Sequence, residues 1–341
     1  MTKQKKSRQS KVLLNGSKAI ARKSLIAFFL IGAVYISLKV FLGPSQSIKP
    51  INPEQLFVIK KGSTFNEVLD NLYDQFQIQN PHWIKIYYRI KGVPNIQAGR
   101  YDISMEIKLN NLIERFIEGD VKKYKFTIIE GSIAKNALRK LENIITKNEF
   151  ENKLTDGIKK VFSSEAQILP DTYIFSDIDE LEDILITYQD YLKRYLDEVW
   201  TQKPEGNPLK NKTEALVLAS IIEREAVLLS EKPQIASVFL FRLVKGMRLQ
   251  ADPTSSYGYY GDFSKKIGRA ALDDNNIFNT YRINGLPPSP ICFPSKSSIE
   301  AAIKSIPSDY LYFVARGDGS HVFSKNLEDH NKAVKKFISG K

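Results

Sequence analysis

One cysteine in 341 residues, Cys292, excludes an intrachain disulfide and any cysteine metal cluster, even in an oxidising compartment. Histidine is almost as scarce. His82, His321 and His330 are the three present, and no two stand four residues apart, which removes the usual metal-hydrolase pattern. No metal or other cofactor is therefore expected. Ser132-Ile133-Ala134-Lys135 spells the S-x-x-K of penicillin-binding enzymes, but K-T-G, S-D-N and the G-x-S-x-G elbow are all missing, so the match reads as chance. Acidic residues are absent from residues 1–23, which hold eight Lys or Arg; the rest of the chain has 42 basic against 38 acidic residues. The net charge of +12 thus belongs largely to a tail, and a nearly balanced body argues against a nucleic-acid partner.

Long apolar runs are also missing, with one exception. Leu25 to Leu42 reads LIAFFLIGAVYISLKVFL with Lys39 its one charge, long enough to cross a hydrocarbon layer if Lys39 snorkels. Gly43-Pro44-Ser45 is a poor cleavage pattern, which favours an uncleaved single-pass anchor over a signal peptide. The basic tail places the N-terminus in the cytoplasm and the body outside it. The expected organisation is a tail over 1–23, a transmembrane helix over 24–42, a linker over 43–56, a small α+β domain over 57–119 and a larger α+β domain over 120–341.

In the small domain, Phe57–Lys60 reads as a strand, Thr64 as a helix cap, Pro81 as the opening of a second helix, and Ala98–Ile103 as a returning strand. Lys125–Ile129 then reads as a strand before a helix, Pro170–Tyr173 as a turn, and Leu181 to Val199 as an amphipathic helix. The larger domain is organised around residues 213–253. Asn211 caps a helix whose apolar stripe runs Ala215, Leu218, Ala219, Ile222, Ala226 and Leu229. Glu223 and Glu225 fall on opposite edges of that stripe, so either suits a cleft, and periodicity does not choose between them. A half-buried carboxylic acid is what glycosidic cleavage needs, because desolvation lets it donate a proton near neutral pH. Residues 246–254 read as a site loop carrying Gln250 and Asp252, just ahead of Tyr257, a mixture of amide, carboxylate and aromatic faces that suits a sugar. Tyr310–Val314 and His321–Phe323 form a hairpin, and Leu327–Ile338 a terminal helix.

Five ordered stretches, ASIIEREA, GMRLQADPTSSYG, FNTYRINGLPPSPI, YLYFVARGDGSHVFS and EDHNKAV, resemble the catalytic domain of bacterial endolytic peptidoglycan (murein) transglycosylases. VIKKGSTFNEV and IQAGRYDI resemble the LysM-like domain that precedes it. The resemblance implies a lytic transglycosylase of the bacterial inner membrane with its catalytic domain extracytoplasmic. It would cut the N-acetylmuramic acid to N-acetylglucosamine bond within glycan strands and leave 1,6-anhydro ends. Glycan strands, the membrane and peptidoglycan synthases would be its partners, and trimming or termination of nascent strands its task. Carried onto this chain, it assigns the catalytic acid to Glu223, a supporting role to Glu225, and sugar binding to Gln250, Asp252, Tyr257, Asn279, Tyr281 and His321. The chain departs from the family pattern at Phe241, Phe278, Ser295 in place of glycine, and Ala166-Gln167 in place of Gly-Tyr. An inactive glycan-binding scaffold and a muramidase-type hydrolase are the alternatives.

Overall fold

The computed structural model describes residues 2–52, 54–79, 81–150 and 154–337, with side chains from residue 22 onward. Helices and short two-stranded ribbons make an α+β architecture, divided by its contacts into a unit up to Lys122 and a unit from Lys123.

The first unit opens with α1 (Thr2–Leu42), and Arg22–Ser45, its second half with the turn that follows, is long and apolar enough to cross a membrane. After a single 3-10 turn at Gly43–Ser45, the expected linker turns out to be folded: β1 (Ser47–Ile48) pairs antiparallel with β4 (Ile107–Lys108), and Ile48 is buried. Pro53 lies outside the described residues. β2 (Leu56–Ile59) pairs with β3 (Gly99–Asp102) in register Leu56 opposite Asp102. Thr64 caps α2 (Phe65–Phe76) through a capping box with Glu67. α3 (Pro81–Lys91) follows, and α4 (Leu109–Glu118) stops at Gly119, whose φ of 71° a side chain would resist. Phe57, Leu72, Tyr101, Leu112 and Phe116 fill the core between them.

The second unit pairs β5 (Tyr124–Thr127) with β6 (Thr172–Phe175), so the stretch read as a turn at Pro170–Tyr173 instead feeds a strand. α5 (Ala134–Lys147), α6 (Asp156–Val161) and α7 (Ile178–Trp200) pack around this ribbon through Phe126, Leu141, Ile158 and Leu185. α8 (Lys212–Glu225) is the centre of the unit. It touches α7, α9 (Lys232–Val244), α10 (Asp252–Tyr260) and α12 (Lys296–Lys304), with the short α11 (Arg269–Asp273) beside α10. A single stripe was expected on α8, but Val217, Leu218, Ala219, Ile221 and Ile222 are all buried, because neighbours cover it on several sides. Asn211 caps it by accepting from Glu214 N at 2.9 Å, and Ala226 turns extended, so Leu229 lies beyond the helix. The hairpin β7 (Tyr312–Ala315) and β8 (His321–Ser324), then α13 (Leu327–Phe337), complete the unit. Ile338 lies outside the described residues. Cys292 is fully buried, its thiol donating to Ser220 O at 3.3 Å.

Candidate active site

The two edges of α8 lead to different surroundings. Glu223 is enclosed. Its Oε2 accepts from Ser295 N at 2.8 Å, Ser295 Oγ at 2.5 Å and Ser298 Oγ at 2.6 Å, and pairs with Lys232 Nζ at 3.1 Å. Lys232 is 2% exposed, and its ammonium also donates to Ser295 Oγ and Ser297 Oγ. Burial pushes the Glu223 carboxyl up, but the Ser295 and Ser298 hydrogen bonds and the Lys232 charge outweigh it and hold the group below its ordinary value. Such a carboxylate keeps its charge and clamps α8 to the first turns of α9 and α12. The assignment of the proton donor to Glu223 therefore meets a group that is ion-paired and held below its ordinary value. Ser295, one of the departures from the family pattern, supplies two of its hydrogen bonds.

Glu225, the last helical residue, lines a cavity of about 370 Å³. Burial, and then the facing Asp252 carboxylate, push its carboxyl up to about 8, against the pull of Arg242 and Arg224. Asp252 accepts from Tyr281 Oη at 2.7 Å and begins α10. Gln250, two residues earlier, sits at φ 47°, a left-handed conformation that a side chain adopts at a cost of about 1–2 kcal/mol. Its N–H donates to Thr280 O at 3.2 Å, which ties the loop to the segment carrying Tyr281. Arg242 forms the wall, donating to Leu311 O at 2.7 Å and Leu249 O at 2.6 Å with its guanidinium over the Tyr312 ring. His330 stacks on the same ring at 5.0 Å, and burial and Arg242 hold its imidazole below its ordinary value. Its Nδ1 is buried without a hydrogen-bond partner among the described residues. Asn331 also lines the cavity.

Gln250, Asp252, Tyr281 and Glu225 thus share one cavity, while Glu223, Tyr257, Asn279 and His321 are not among its lining residues. Asn279 is fully buried; its Nδ2 donates to three carbonyls, those of Ala271, Leu272 and Asp274, and its Oδ1 accepts from Ser255 Oγ and Tyr281 N. With every polar position engaged, it shapes the backbone instead of meeting a sugar. His321 is held by Glu231 through Nδ1 at 2.7 Å and its own N–H at 3.0 Å. Tyr257 donates to Glu165 Oε1 at 3.2 Å and packs on Phe278 and Phe263. Glu165 is 7% exposed, and burial pushes its carboxyl up to about 7 against hydrogen bonds from Ala134 N and Tyr257. Sequence reasoning passed over Arg242, Tyr312, His330 and Asn331, although YLYFV and EDHNKAV, the segments carrying the last three, had been singled out.

A glutamate carboxyl pushed up by burial and facing a second carboxylate, in a cavity walled by arginine, tyrosine and histidine, defines an α+β protein equipped for acid–base chemistry on a polar substrate. The chain belongs to the YceG-like family, whose profile matches residues 57–336. It is 31% identical over 344 residues to an endolytic murein transglycosylase of Bacillus subtilis (strain 168), covering 92% of each chain. An endolytic murein transglycosylase of Streptococcus pneumoniae serotype 2 is 23% identical, over 83% of this chain and 58% of that one. Among solved structures, a yceG-like protein from Listeria monocytogenes is similar with a TM-score of 0.50 and 29% identity, covering 82% of this chain and 99% of that one.

Proposed function

We propose that this chain is an endolytic lytic transglycosylase of peptidoglycan in which Glu225, not Glu223, moves the proton. The observation that carries this reading is the contrast between the two carboxyls: one is locked in an ion pair that holds it below its ordinary value, the other is pushed up and lines the cavity beside Asp252. Glu225 donates its proton to the glycosidic oxygen as the bond from N-acetylmuramic acid to N-acetylglucosamine breaks. The Asp252 carboxylate, held by Tyr281, stabilises the positive charge that develops at the anomeric carbon. The Glu225 carboxylate then takes the proton from the muramyl C6 hydroxyl, whose oxygen closes on C1 to give a 1,6-anhydro end. The proton returns to Glu225, and no water is consumed. Gln250, Tyr281, Tyr312 and His330 offer the hydrogen-bonding and stacking groups for the sugars. The apolar span anchors the chain in the membrane with the second unit outside the cytoplasm, where the glycan is, and nascent strands are the substrate.

Digestion of purified peptidoglycan followed by mass spectrometry tests this. Glu225→Gln keeps size and hydrogen bonding but removes the titrating proton, so anhydro products are expected to fall by at least about a hundredfold. Anhydro products at the parent level from Glu225→Gln, or reducing ends heavier by one water from the parent, would overturn the reading. The latter would favour two-carboxylate hydrolysis with Asp252 as the second group.

A further inference from the structure

α3 carries two apolar stripes. Ile84 and Tyr88 are buried in the core of the first unit. Trp83, Ile86, Tyr87 and Ile90 form a second stripe at i, i+3, i+4 and i+7, beside the first, and there Ile86 and Ile90 are 38% and 70% exposed. Val93, just past the helix, is 63% exposed. The core partly covers Tyr87 as well, but Ile86 and Ile90 stay outside it and leave an apolar edge open to a further apolar partner.

That stripe borders the end of the membrane span. The Tyr87 ring meets Phe41, within the apolar run of α1, edge-on at 5.9 Å. A Cβ built on Gly43 would lie 3.3 Å from Ile84 Cγ1, so glycine lets the end of the span press against α3. The Gln46 side chain fixes the approach: its Nε2 donates to Gly43 O at 3.0 Å and Gln79 O at 3.2 Å, and its Oε1 accepts from Gln79 N at 2.9 Å. α3 is thereby held beside the end of the apolar run, which is the level where hydrocarbon would give way to headgroups if that run spans a bilayer. Its composition suits that level. Trp and Tyr rings favour the interface, and Lys91 and Lys39 carry their ammonium groups over Tyr87 and Tyr35, each at 5.7 Å from the ring centroid.

We infer that α3 is an interfacial helix: its Trp83–Ile86–Tyr87–Ile90 stripe lies in the outer headgroup region of the bilayer that α1 spans, with Arg89 and Lys91 toward anionic lipid phosphates. The inference rests on the membrane-anchor reading. The first unit then docks on the surface in one orientation instead of swinging on a tether.

The test uses the full chain with Trp200→Phe, which leaves Trp83 as the single tryptophan. It is reconstituted into vesicles of phosphatidylglycerol and phosphatidylcholine whose acyl chains carry bromine at a shallow or a deep position. Trp83 emission is expected to be quenched more by shallow bromine than by deep. Ile86→Asp with Ile90→Asp should abolish the quenching while the protein still floats with the vesicles and still cleaves soluble glycan. A chain that floats and resists carbonate extraction, but whose Trp83 is unquenched, would overturn the interfacial placement alone. A chain that does not float with vesicles would sink the anchor reading and this inference with it.

Discussion

At the residue scale, Glu223 and Glu225 share a helix and a chemical type, and their neighbours separate them. Because the proposed acid holds its proton until about pH 8, turnover should fall as pH rises through that value. Asp252 is part of what raises the Glu225 carboxyl, so Asp252→Asn should move this alkaline limb to lower pH as well as slow the reaction. A pH–rate profile of both proteins checks the direction. The same raised carboxyl has a consequence for stability. A folded-state value above the ordinary one means the folded protein binds more protons, so stability is lost as pH climbs from the ordinary carboxylate range through about 8. Thermal unfolding of Glu225→Gln should lack that decline. Glu223→Gln should behave in the opposite way, since it leaves Lys232 buried without its counter-charge; a loss of roughly 3–5 kcal/mol is expected. Turnover should persist wherever that variant is still folded. Ala166 gives a smaller and opposite effect. It sits at φ 56° where the family pattern has glycine, so Ala166→Gly should raise stability by about 1 kcal/mol in denaturant unfolding.

At the element scale, much was legible wherever local chemistry decides. The caps at Thr64 and Asn211, the β7–β8 hairpin and the span of α7 all follow from side chains within a few residues of each end. What was not legible depends on partners far away in the chain. The apolar letters after Glu225 continue a helical pattern, and nothing local announces that the chain turns extended at Ala226. That stop leaves Glu225 lining the cavity while Glu223, half a turn earlier, is held by residues from two other helices. α12 begins with Lys296-Ser297-Ser298, a polar start that conceals the helix supplying one of those clamps. The first three residues of α10, Asp252 to Thr254, fall in the stretch that reads as a site loop, although proline is well placed in a first helical turn. The chemical types at Gln250, Asp252 and Tyr281 point to three residues that line one cavity, and Asn279 is picked out for the same reason. Its side chain is consumed by backbone, so Asn279→Ala should cost roughly 2–3 kcal/mol of stability, read by thermal unfolding, before any effect on substrate affinity appears.

At the scale of the whole molecule, the basic tail, the apolar span and the balanced body are read directly from composition, and with them the expected orientation. A reporter fused to the C-terminus should be active outside the cytoplasm and silent within it; the reverse would refute the orientation drawn from the eight basic residues of the tail. The stretch after the span could not be read as folded, because strands of two residues carry no periodic signal and depend on pairing with residues 107–108. Cys292, finally, makes the molecule convenient to label. Its sulfur is fully covered, and burial pushes its thiol well above the ordinary value, so the native chain presents no reactive thiolate to reagents in solution. A cysteine introduced on the surface would be the single attachment point for a fluorophore or spin label. Pairs of such probes, one on each unit, would report the distance between the two units with and without glycan, with the native sulfur left in place.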